Sequence, residues 1–420
     1  MRRYGVRTSS HVRLALAAAV MALALAVAAP ALAANPQSYS LDHRWDLGTQ
    51  TPSFQAHGLV SDGGFLYLAA YDTYVMRFTP GATLGSTETI PLANMATASE
   101  LAIRDGFMWV VDHDDDTVSK FDTSGGYEDD PITGPAVGDD FNLVNAVTVD
   151  ASSCVYVADM GGAVGYPGRI TKFTSDGTYV CTFGDTGTTD LWQPMSLVVG
   201  PNWHVYVADS LSGRIVEYAP TNAGRTAYNS SASTVKPTMW TMLEEPDAVS
   251  VDAAGNVFAV DRSARSVTKF SPDRTKLAAW GSRGLGDGQF EMPWSVAIDP
   301  LSHLVFVDDR DNDNIQQFHL NDLRPLTYAS AAISVKKGKT AVFKFKATSE
   351  VAPSVAVTIK IYKGSKLKKT ITVGSVTQGW YHTKSWKCTL AKGSYTWRVY
   401  ASDGAGHSQR AVASKTFKVK

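Results

Sequence analysis

A short apolar strand that ends on an acid recurs along the first three quarters of this chain, and no other feature restricts its fold as tightly. The strands read LYLAA to Ala70, MWVVD to Asp112, VYVAD to Asp159, VYVAD to Asp209, VFAVD to Asp261 and VFVDD to Asp309, at steps of 42, 47, 50, 52 and 48 residues. After each comes a turn, then an apolar residue paired three positions later with an aromatic: Val75 with Phe78, Val118 with Phe121, Ile170 with Phe173, Ile215 with Tyr218, Val267 with Phe270 and Ile315 with Phe318. Upstream of each acid a further strand puts Leu59, Leu101, Val147, Leu197, Val249 and Val296 in matching places. Strands of about five residues with period-two alternation, separated by Gly, Asp and Asn turns, predict antiparallel four-stranded units.

Radial repetition of such units builds a propeller. The expected fold is therefore all-β, a six-bladed β-propeller over residues 35–325. The sixth unit runs out of chain after IQQFHL, and Tyr39 to Gly48, ending RWDLG, is similar to the fourth-strand endings VCTFG at Gly184 and LAAWG at Gly281. That segment is expected to complete the sixth blade and leave no free edge. The stretches AAWGSRGLGDGQFEMPWSVAID, from Ala278 to Asp299, and VYVADSLSGRIVEY, from Val205 to Tyr218, resemble the NHL repeat family. The resemblance covers residues 43–320 and implies the fold, with little implication for activity. Ala70 departs from it, standing where the other five units have Asp.

From Leu326 the character changes. AVFKFKA, VAVTIKIYK and SYTWRVYAS alternate so that Phe343, Phe345, Val355, Val357, Ile359, Ile361, Tyr395, Trp397 and Val399 share inward faces. This second domain, residues 326–420, resembles an immunoglobulin-like or fibronectin-like β-sandwich. The net charge of -1 conceals the division between the two domains. Residues 326–420 hold sixteen Lys and two Arg against Glu350 and Asp403, whereas residues 35–325 hold 17 basic and 38 acidic residues. An acidic domain precedes a basic one.

At the N-terminus, Arg2, Arg3, Arg7 and Arg13 precede an apolar run from Leu14 to Ala29 and then Ala31, Leu32, Ala33. Residues 1–34 read as a secretory signal peptide, too short in the apolar part for a membrane span, so a secreted, extracellular chain without a transmembrane anchor is expected. Cys154, Cys181 and Cys388 are too few for a disulfide framework, and the strand spacing between Cys154 and Cys181 predicts free thiols.

Propellers bind at the mouths of the central channel, where first-strand residues converge. Two positions before the aligned Leu or Val lie His57, Ser99, Asn145, Met195, Asp247 and Trp294, which form the expected ligand-binding ring. The HGL segment at His57 resembles the motif of peptidyl-hydroxyglycine lyases. That resemblance implies zinc held by one such His from each of three blades, but Asn145 and Asp247 stand at the other two positions and suit only a harder ion. The acidic turn DDRDNDN spaces Asp309, Asp311 and Asp313 as calcium coordination requires, although a repeat places turn-capping acids there in any case. No catalytic residue is expected from any motif. The Lys-rich face of the second domain would meet an anionic cell-surface polymer; the scarcity of Arg and of exposed aromatics argues against nucleic acid. The leading expectation is a secreted binding scaffold whose channel face takes a protein, peptide or glycan, with the basic domain as spacer or surface anchor. A metal-dependent lyase or lactonase centred on the ring is the alternative.

Overall fold

Each VYVAD-type strand is apolar on both faces, so it must lie inside a sheet that is itself covered on both sides. The computed structural model bears this out: Val155–Asp159, Val205–Asp209, Val257–Asp261 and Val305–Asp309 are buried at every residue. The structure describes residues 39–420 apart from 48–57, 80–86, 137–138, 162–166, 185–190, 230–236, 300–301, 322–324, 350–353, 379, 404–407 and 410–411. All of them belong to the unit Gln37–Lys420. The expected signal peptide and His57 lie outside the described residues. Among those residues the protein is all-β, and no helix is long and apolar enough to cross a membrane.

Six of the sheets have four antiparallel strands each, and five of these run in simple chain order. The first, for example, takes Gly58–Asp62, Phe65–Ala69, Tyr74–Phe78 and Glu88–Pro91 in succession. The sixth differs. Its strands Pro293–Ile298, Val305–Asp309 and Asn314–Leu320 are completed by Tyr39–Asp46, which pairs Trp45 with Ile315 and Tyr39 with Leu320. The outer strand read from the RWDLG segment is thus in place, and the two ends of the repeat region share one sheet.

Packing follows the same succession. Every sheet buries one face against the sheet before it and the other against the sheet after it. Sheets four and five share a core around Tyr206, Trp240, Val249 and Phe270. Sheets five and six share one around Phe258, Val267, Val307 and Phe318. The sixth sheet then meets the first through Trp45, Leu59, Leu66, Phe78 and Phe306. First strands pack on first strands throughout, including Pro293–Ile298 on Gly58–Asp62. Two hydrogen bonds tie that junction: the Leu59 amide donates to Ser295 Oγ (3.2 Å) and Ser61 Oγ to Asp299 Oδ2 (3.0 Å).

Beyond Leu326 a three-stranded and a five-stranded sheet face one core built on Phe343, Phe345, Ile359, Ile361, Trp397, Val399 and Phe417. The strand Ser354–Lys363 alternates buried and outward residues along its length, as its sequence predicts. The Lys346 ammonium lies buried against the fifth four-stranded sheet, donating to Asp273 Oδ2 (2.7 Å) and Thr275 Oγ1 (3.4 Å). Gln378 Nε2 donates to the Ala254 carbonyl beside it. Burial pushes the Asp273 carboxyl up, but hydrogen bonds from Lys346, Ser271 and Thr275 outweigh it and hold the group below its ordinary range. The three cysteines are free thiols.

Trp45 is 2% exposed and sits on the strand that joins the two ends of the repeat region. Trp45→Ala should therefore lower the unfolding free energy by about 3–5 kcal/mol in urea titrations. A loss near zero would mean that Tyr39–Asp46 contributes little to the fold.

Candidate functional site

The acid that closes each second strand has a structural task. Asp209 is fully buried, and its Oδ1 accepts the amides of Trp192 and Gln193 (both 2.9 Å) in the connection arriving from the previous sheet. Asp112 takes Ala96 N (2.7 Å) and Thr97 N (3.0 Å). Asp261 takes Glu244 N (2.8 Å) and Glu245 N (3.2 Å). Asp309 takes Glu291 N (3.1 Å) and Met292 N (2.8 Å). Asp159 binds Asn142 N (3.1 Å) and Gly161 N (2.8 Å). Arg214 and Arg169 neutralise Asp209 and Asp159 from the neighbouring strand.

This task bears on the acidic turn Asp309, Asp311, Asp313. Asp309 turns inward and also accepts Asn312 Nδ2 (2.6 Å), while Asp311 and Asp313 are exposed on a 3-10 turn. Asp313 adopts a left-handed backbone (φ 48°) at the end of that turn, as a turn-capping residue does. Their alternate spacing therefore does not gather the three carboxylates on one side. Among the described residues no group of three His, Cys, Asp or Glu side chains is placed to hold a metal ion.

Of the expected ring, the structure brings Asp247 and Trp294 together. Asp247 is buried, accepts Ser210 Oγ at Oδ1 (2.7 Å) and faces Arg262 Nε across 2.6 Å at Oδ2. Arg262 also pairs with Glu245. Its guanidinium lies 5.6 Å from the Trp294 ring centre, and that of Arg310 lies 5.1 Å from the same ring. Trp294 thus carries two cationic contacts, one from its own sheet and one from the sheet before. Asn145 Nδ2 donates instead to the Pro194 carbonyl of the next sheet (3.1 Å). Ser99 is buried, its Oγ without a hydrogen-bond partner among the described residues, and Met195 is half-buried. Ser210, Arg262 and Arg310 come from turns between second and third strands, which column-by-column alignment of first strands does not reach.

Within an up-and-down sheet, the turns between second and third strands and the connections into first strands lie at one end. The other hairpins lie at the opposite end. Among the described residues, most of the large exposed apolar side chains of the repeat region occupy the first end. Trp192 (70% exposed), Met242 (57%) and Leu285 (70%) lie on connections into the fourth, fifth and sixth sheets, and Leu211 (68%) on a turn of the fourth. Lys346 and Gln378 meet the fifth sheet at its opposite end, through Asp273, Thr275 and Ala254.

No family model and no curated protein matches the chain. Among solved structures it is similar to the extracellular domain of a one-component system from B. thetaiotaomicron, at 11% identity and a TM-score of 0.40 over 91% of this chain, of which it spans 58%. It is also similar to an exported protein from Bacteroides fragilis, at 10% identity and a TM-score of 0.31 over 69% of this chain and 87% of that one. A CARDB domain from Pyrococcus furiosus matches 24% of the chain at 19% identity and a TM-score of 0.17, with 88% of that domain covered.

Two predictions follow from the carboxylates. Asp209→Ala strands two amides and Arg214, so it should cost about 3 kcal/mol or more in urea unfolding; a change under about 1 kcal/mol would deny the clamp its role. Asp247 is raised to about 6, by burial first and then by Glu245 and Asp261, against the Ser210 hydroxyl and Arg262, which lower it. Its folded value lies above the unfolded one, so the stability tied to it is present below about pH 4 and lost as pH rises through about 6. Asp247→Asn cannot ionise. Its stability relative to the native chain should therefore improve on going from about pH 4 to about pH 7, and a constant difference would contradict this assignment.

Proposed function

We propose that the chain is a secreted binding scaffold, a six-bladed β-propeller of NHL type followed by a basic immunoglobulin-like sandwich, and that it takes a protein or peptide ligand. The six mutually packed four-stranded sheets and the shared closing sheet support the propeller reading. The observation that carries the function is the set Trp192, Leu211, Met242 and Leu285, exposed together at the end of the sheets where Trp294, Arg262 and Arg310 also lie. Exposed apolar side chains gathered in this way mark interaction surfaces, and Trp and Arg are the residues that most often anchor them. Aliphatic Leu and Met side chains suit the apolar groups of a protein better than the hydroxyls of a glycan. Among the described residues, Lys346 and Gln378 of the C-terminal region meet the fifth sheet at its opposite end. The Lys-rich outer strands of that region serve as the anchor to an anionic surface polymer.

The test compares the native chain with the Trp192→Ser, Leu211→Ser, Leu285→Ser variant as baits in the producing cell's extracellular fraction. The native chain should retain a saturable protein ligand, and the variant should lose it at an unchanged melting temperature. Equal retention of that ligand by both would overturn the reading.

A further inference from the structure

The outward face of the five-stranded sheet carries two cations side by side. On Ser354–Lys363 and Gly393–Ser402 the residues Ile359, Ile361, Trp397 and Val399 enter the core, so Lys360 and Arg398 stand on the other face. The register sets these two directly opposite each other. Their row continues to Thr370 on one side and to Ser414 on the other. Four adjacent strands, at a spacing of about 4.8 Å, thus present hydroxyl, cation, cation and hydroxyl in line.

Like charges placed opposite each other in a sheet repel, and a carboxylate beside them would relieve the strain. Of the two acids in residues 326–420, Glu350 lies outside the described residues and Asp403 is buried just past the end of its strand. Among the described residues neither cation has a carboxylate partner. Two tyrosines take that place. Tyr362 and Tyr400 stand in the rows on either side, opposite Thr396 and Thr358, and lean across the cations until their hydroxyls meet at 3.0 Å. The Arg398 guanidinium lies 4.7 Å from the Tyr362 ring centre, and Lys360 Nζ lies 4.5 Å from that of Tyr400. Ring faces hold cations in place without neutralising them. One hydroxyl donates to the other, so the second keeps its hydrogen for a further acceptor. All four residues are half-buried, open to the outside on this face.

We propose that Lys360, Arg398 and the joined Tyr362 and Tyr400 hydroxyls bind one phosphate group of a phosphodiester polymer at the cell surface. The proposal rests on the reading of the C-terminal region as the anchor, and it locates the contact. The forked guanidinium, the ammonium and the phenolic O–H approach from different directions. That arrangement suits the tetrahedral oxygens of a phosphate better than the flat pair of a carboxylate. Ser414 and Thr370 extend the row with donors for the polyol or sugar hydroxyls on either side of the phosphate.

The test titrates residues 35–420, as one chain, with poly(glycerol phosphate) at about 0.15 M salt, where diffuse surface attraction is screened. Polyglutamate serves as the carboxylate polymer and single-stranded DNA as the nucleic acid. The native chain should bind poly(glycerol phosphate) saturably and at least about tenfold more tightly than polyglutamate, a difference of about 1.4 kcal/mol. The Lys360→Gln, Arg398→Gln variant should lose at least about tenfold in that affinity. Its melting temperature should be unchanged or raised, because a repelling pair is removed. Lys337→Gln with Lys339→Gln removes the same charge from an exposed turn and should bind as the native chain does. Equal losses in the two variants would overturn the site and leave the anchor reading standing, as would tighter binding of polyglutamate or DNA. Failure of the native chain to bind any of the three polymers would overturn the site and the anchor reading together.

Discussion

The interaction on which five of the six four-stranded sheets depend is a buried carboxylate accepting amides of the incoming chain, two in a row in four of them. Each connection arriving from the previous sheet must dive under the surface to begin a first strand. Its N–H groups leave water there and need acceptors. Asp112, Asp159, Asp209, Asp261 and Asp309 provide them from the end of the second strand, so that second strand and incoming chain are fixed to each other before the first strand begins. Charge-assisted bonds of this kind are the strong ones. They set where the first strand starts, hence its pairing, hence which face of each sheet meets its neighbour. The first sheet has Ala70 in that place and is secured otherwise: the Tyr71 amide donates to the Ala98 carbonyl of the second sheet, and the Ala98 amide donates back to Asp72.

The opposite ends are held by a different device. Lys172 is buried 3.6 Å from Asp150, and Lys269 3.7 Å from Asp252. Tyr156, held to Asp150 by its hydroxyl, and Tyr39, which accepts Lys269 Nζ, extend these pairs with aromatic partners. A buried ion pair adds little net stability, but losing either member is expensive. Lys346 against Asp273 continues this pattern across the boundary at Leu326. The C-terminal region is therefore attached where the sheets already tolerate buried charge. Among the described residues the strong charge division of the sequence is expressed at this boundary in one well-shielded ion pair.

The strands, the six apolar interfaces and the shared closing sheet were legible in the sequence because each depends on a local period that burial on both faces makes nearly continuous. Trp45 could be placed for the same reason: the RWDLG ending repeats a fourth-strand pattern found elsewhere in the chain. The environment of Trp294 was not legible. It depends on Arg262 and Arg310 projecting from turns of two different sheets, a meeting that no single repeat encodes. The side chains of the turn acids were not legible for a related reason, since alternate spacing along the chain becomes one buried and two exposed carboxylates once the 3-10 turn forms.

The clamp also governs what the exposed end of the sheets can do. Trp192 is the most exposed large aromatic among the described residues, yet its own amide is one of the two held by Asp209. Met242 lies two residues before the amides held by Asp261, and Leu285 lies on the connection whose far end is held by Asp309. These side chains project from backbone that is pinned where it enters the sheets. Ordering a flexible loop on association costs part of the contact energy, and a pinned one avoids much of that cost. On the proposed function, the bonds that make the repeat fold thus also prepare its apolar end for a ligand, and a variant that loosened a clamp would weaken that association even with every exposed side chain intact.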